Sequence, residues 1–122
     1  SAGIKPMVDS FEQQVMFAEK SWGDFKVMDV EKSSMTIKVT LNVGQRMNYH
    51  SHKHRDEVWV VVSGKGRTIV DGMEQKVKSG DVITMSAGCR HTVIADTDLK
   101  LIEVQLGEDI SVHDKQKFEL EY

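Results

Sequence analysis

The chain has 122 residues and a net charge of −3, with 16 Lys and Arg interleaved among 19 Asp and Glu. That length suits one compact domain with a single core, and the absence of a basic cluster argues against a nucleic-acid partner. One cysteine, Cys89, excludes an intrachain disulfide, and no apolar run reaches membrane-spanning length, so a reducing cytoplasm and no membrane contact are expected.

Residues 1–20 open with Ser1-Ala2-Gly3, a candidate cloning remnant, and contain the only proline, Pro6. In "DSFEQQVMFAEK" the residues Phe11, Val15 and Ala18 fall on one face at helical spacing, which predicts a short helix or an arm on the main body. The expected division is an arm over 1–20 and a main domain over 21–122. From Trp22 the period changes to two. In "SMTIKVTLN", Met35, Ile37, Val39 and Leu41 alternate with polar neighbours, the signature of a strand with one buried face. The runs "EVWVVVS", "GRTIVD", "EQKVK", "DVITMS", "HTVIAD" and "LKLIEVQL" follow at short intervals, separated by glycine turns. Asp71-Gly72 suits a tight hairpin, since both residues tolerate positive φ. The closing "DISVHDKQKFELEY" reads as an edge strand or a tail. Many short strands and no long helix predict an all-β antiparallel sandwich or barrel. Its edges need cover, which predicts a homodimer in which strands or the arm of one chain shield the other.

"GQRMNYHSHKHRDEVWVVVSG" places three of the five histidines within five residues. On a strand, His50 and His52 project to the same side, and Glu57 can supply a third ligand from the next strand. Trp59 and Val61 share the parity of Glu57 and are expected to turn inward. His91, after "SAGCR", can be the fourth ligand. Three imidazoles and one carboxylate suit a divalent transition ion such as Mn, Fe, Co, Ni or Zn, with positions left for water.

The segment Gly44 to Gly64 resembles the first cupin motif at each defined position: glycine, five residues, His-x-His, four residues, Glu, six residues, glycine. "GDVITMSAGCRH" resembles the second, with Ser86 where proline is usual; Ala95 stands where asparagine is frequent. The resemblance implies a double-stranded β-helix, the jelly-roll cupin barrel, with a metal inside on His50, His52, Glu57 and His91. Within cupins the chain is similar to the type II mannose-6-phosphate isomerase domain, often the C-terminal part of mannose-1-phosphate guanylyltransferases. "SWGDFKV", "HRDEVWVVVSGKG" and "LIEVQLGED" carry that likeness.

The likeness implies an aldose–ketose isomerase acting on mannose 6-phosphate and fructose 6-phosphate, with proton abstraction beside a carbonyl; His54 and Glu103 are the candidate bases. A sugar-phosphate partner needs cations for its dianion, and Arg55 and Arg90, each beside a ligand, are preferred over Lys20, Lys65 and Arg67. Glu103 and Gln105 share a strand face and, if inward, stand beside substrate. Trp22 and Trp59 read as packing and Cys89 as a bystander. Two alternatives stand: a cupin dioxygenase, and a non-catalytic metal-binding module of a sugar nucleotidyltransferase. The module is favoured by "ISVHDKQKFEL", which replaces the arginine-bearing tail usual after "GED" in the family.

Overall fold

Period-two alternation carries most of the architecture in the computed structural model, which describes residues 17–108 and 116–118. Its strands are β1 (Phe17–Lys20), β2 (Gly23–Val30), β3 (Ser34–Leu41), β4 (Tyr49–Ser51), β5 (Asp56–Ser63), β6 (Lys65–Val70), β7 (Met73–Lys78), β8 (Val82–Met85), β9 (His91–Ala95), β10 (Leu99–Leu106) and β11 (Gln116–Phe118). Among the described residues there is no helix, as the all-β expectation required.

The strands form a six-stranded sheet, ordered β1-β2-β3-β10-β5-β8, and a five-stranded sheet, ordered β11-β4-β9-β6-β7. The chain crosses between them at β3–β4, β4–β5, β5–β6, β7–β8, β8–β9 and β9–β10, winding as a double-stranded β-helix. The β6–β7 hairpin turns the path back. Its two-residue loop is Asp71-Gly72 with φ of 48° and 81°, the left-handed pair that matches strand twist.

The helical spacing that ran through Ala18 does not hold there: Phe17–Lys20 pairs with Lys26 back to Gly23 as an edge strand. The rest of the expected arm lies outside the described residues. The closing segment contributes the edge strand β11, paired with β4, and its other residues are likewise outside those described.

Inward positions form layers that change in polarity along the barrel. Across the larger sheet, Val39, Leu101 and Val61 stand side by side; next come Ile37, Glu103 and Trp59, and then Met35, Gln105 and Glu57. The first layer is fully apolar and merges with Leu41, Val93, Ala95 and Leu99, all buried. The third is where polar side chains are held out of water. One end of the barrel is therefore a dry core, and the other has its interior lined for chemistry.

Candidate metal centre

Three short-range features aim the histidines. His50 on β4 and His91 on β9 are directly opposite each other across an antiparallel pair. His52 follows β4 on the same side, and its carbonyl accepts from Gly88 N at 2.7 Å, tying the two loops at that end together. Glu57, near the start of β5, faces them from the other sheet. The result is a buried group of His50, His52, Glu57 and His91 whose ligand atoms all lie within 4.8 Å of one another. Sequence spacing had named all four.

The donor chemistry fits a metal ion. His50 Nδ1 donates to the Asn48 carbonyl at 2.6 Å and His91 Nδ1 to the Cys89 carbonyl at 3.1 Å, so each ring presents an unprotonated Nε2. His91 Nε2 and Glu57 Oε1 approach to 3.0 Å, yet each is buried with no hydrogen bond. Two orphaned polar atoms held this close are costly unless something between the sheets takes their lone pairs, and a cation does so. Burial alone would push the Glu57 carboxyl up; close contact with His91 and the charges of Arg55, His52 and His91 outweigh it and hold the group at about 2. An ionised carboxylate is the protonation state that a metal site requires of Glu57.

Residues 9–120 match the model of the mannose-6-phosphate isomerase C-terminal family. The chain belongs to that family. It is 28% identical over 105 residues to the mannose-1-phosphate guanylyltransferase ManC of Salmonella typhimurium, a match covering 84% of this chain and 22% of that protein. It is 24% identical over 126 residues to the alginate biosynthesis protein AlgA of Pseudomonas putida, covering 96% of this chain and 26% of that one. The chain thus spans about a quarter or less of the relatives it matches. Among solved structures, an RmlC-like cupin from Shewanella frigidimarina superposes with a TM-score of 0.69 at 20% identity, covering 78% of this chain and 86% of that one. A double-stranded β-helix protein from Klebsiella pneumoniae gives 0.69 at 19% identity, covering 78% and 83%. These likenesses establish the fold.

Around the four grouped residues, this member of the isomerase C-terminal family buries a second polar group. Glu103 and Gln105 turn inward, with exposures of 7% and 3%. Glu103 Oε1 accepts from Trp59 Nε1 at 2.7 Å and Oε2 from Gln105 Nε2 at 2.7 Å. Gln105 Oε1 is buried without a partner. Burial and then the charge of Glu57 push the Glu103 carboxyl up, against the hydrogen bonds from Gln105 and Trp59. Trp59 is therefore more than packing. The signal lay in its parity with Glu57, two residues before it, and in β5–β10 pairing, which sets it opposite Glu103.

The remaining predicted residues stand differently. His54 is exposed in the loop between β4 and β5 and is not one of the four grouped ligand residues. Arg55, expected at the mouth, folds inward: Nε donates to Glu57 Oε2 at 2.9 Å and Nη2 to His52 Nε2 at 2.9 Å. Arg90 is exposed, its guanidinium 3.9 Å from the centre of the Phe118 ring. Arg67 is tied to Asp96 and Glu74 at the surface. Burial, followed by the charges of Asp71, Glu57 and Asp56, raises the Cys89 thiol to about 11, so it stays protonated and unreactive. Trp22 packs against the core, as expected.

Proposed function

We propose that this domain is a metal-dependent sugar-phosphate isomerase, interconverting mannose 6-phosphate and fructose 6-phosphate. The observation that carries the reading is the pairing of the buried His50, His52, Glu57 and His91 group with the inward polar pair Glu103 and Gln105, in a chain of this family. A divalent ion held by the four residues would supply Lewis acidity to the carbonyl and hydroxyl oxygens of the open-chain sugar. The proton work falls to the protein. Isomerisation removes a proton from sugar C2 and delivers one to C1, while the hydroxyl proton moves to the former carbonyl oxygen. Glu103 suits the carbon-to-carbon transfer, because a carboxyl raised above its ordinary range is a stronger base and exchanges protons nearer neutral pH. His54, exposed nearby in sequence, is the other candidate. Gln105 Oε1, buried and unpartnered, would accept a hydrogen bond from a sugar hydroxyl and so orient the chain of the substrate. Arg90, exposed at the loop before β9, is the cation proposed for the phosphate dianion, since Arg55 is turned inward onto Glu57 and His52.

The polar lining argues for a sugar rather than the apolar substrate and redox-active iron of a dioxygenase. The second reading is a non-catalytic module: the relatives named above are guanylyltransferases, and the matched part is 22% of the Salmonella protein. A cytoplasmic setting accords with the free Cys89 and with a phosphorylated substrate. We also propose a homodimer, supported by the apolar outer face of the larger sheet. The deciding experiment is NMR of either sugar phosphate in deuterated solvent with metal-loaded protein. Catalysed exchange is expected at C2 of mannose 6-phosphate or at C1 of fructose 6-phosphate, abolished in Glu103→Gln; no exchange over many hours would move the conclusion to the non-catalytic module.

A further inference from the structure

Arg55 enters the metal centre itself. Its side chain is 9% exposed, and it contacts two of the four grouped residues, Glu57 and His52. A guanidinium nitrogen only donates, so the His52 Nε2 that receives Nη2 at 2.9 Å offers its lone pair there, and the ring proton sits on Nδ1. Glu57 divides its oxygens. Oε2 takes the Arg55 Nε, whereas Oε1 faces His91 Nε2 at 3.0 Å with no hydrogen bond of its own. The carboxylate can thus serve Arg55 and an ion together, one oxygen each. The imidazole cannot. With its proton on Nδ1, His52 has a single lone pair, and Arg55 holds it.

We propose that Arg55 is a resident cation that competes with the metal for His52, so that loading the centre requires Nη2 to leave the ring while Nε keeps Glu57 in place. The inference rests on the metal-binding reading and adds that the centre carries its own occupant. Both cations seek the same electron pair, and their charges repel across a buried space. Metal uptake is therefore slower and weaker than the four ligands alone would give.

The test uses cobalt(II) alone as probe, with its visible absorption spectrum titrated against a competing chelator, on the wild type, Arg55→Met and Arg55→Lys. Arg55→Met fills similar space without donating, and it should bind cobalt tighter by about ten-fold or more, since a charge-assisted contact no longer opposes entry. Arg55→Lys keeps the charge as a single point on a shorter stem that cannot span both partners, and it should fall between the two. Weaker binding by Arg55→Met would mean that the arginine props the ligands, and would overturn the proposal. Arg55→Lys binding like the wild type, with Arg55→Met tighter, would mean that distant charge alone is at work, and would also overturn it. Should Arg55→Met fail to give the wild-type circular dichroism, the rate and strength of cobalt uptake by Arg55→Lys decide the matter. Cobalt bound by none of the three proteins would instead remove the metal reading itself.

Discussion

His52 is the most exacting residue of the centre, because one nitrogen must satisfy either Arg55 or an ion. Replacing it by alanine removes a donor that no neighbour can replace, so the metal content of His52→Ala should drop from one ion per chain to near zero on dialysis. Elemental analysis giving equal stoichiometry for the two proteins would reject the ligand assignment. The grouping of these four residues was legible in the sequence: rigid strand parity meant that His50 and His52 had to share a side and Glu57 had to join Trp59 and Val61 inside, while His91 was found in the second glycine-bounded segment. The direction of Arg55 was not legible. It leaves a loop, where no period constrains the side chain, and its inward path follows from the pull of Glu57, a partner that adjacency alone did not reveal.

At the scale of elements, the barrel depends on places where one backbone runs close against another. Gly64, between β5 and β6, has φ of +92°, and a Cβ there would sit 2.1 Å from the Asp98 carbonyl oxygen. Gly72 has a similar φ of +81° but open space around it. Comparing the two isolates the steric clash from the left-handed strain. Gly72→Ala should cost about 1 kcal/mol, and Gly64→Ala at least about 2 kcal/mol more, because the obstructing atom is backbone and cannot rotate away. Urea denaturation of both variants measures the difference, and equal losses would contradict the close approach. The strands β3, β5 to β10 and the Asp71-Gly72 hairpin were readable in sequence, since each alternates or carries a turn residue with a physical reason to be there. Strand β1 was not, because "FAEK" is too short to show a period and is held by its pairing with β2, a contact between edge positions.

At the scale of the whole molecule, the outer face of the larger sheet is divided. Thr36, Lys38 and Thr40 make one half polar, whereas Ile102, Val104 and Leu106 on β10, Val58, Val60 and Val62 on β5, and Val82 on β8 make the other half apolar. Leu106, Val62 and Val82 are 43%, 45% and 61% exposed. An exposed apolar patch of this kind can be covered by the same patch of a second copy under two-fold rotation, which is the basis for the proposed homodimer. Sedimentation at tens of micromolar should give a dimer, and Val62→Glu should shift it to monomer while leaving cobalt binding unchanged; a wild-type monomer would reject the association. The opposite sheet ends differently. Strand β11 lies along β4, and Phe118 meets both the Tyr49 ring and the Arg90 guanidinium. The strand that bears His50 thus borrows its outer hydrogen-bonding rail from Gln116–Phe118, a segment that follows His91 in sequence, so the edge beside His50 is made only after all four grouped residues. A nascent chain has the letters of its metal centre long before it has the edge that keeps them in register.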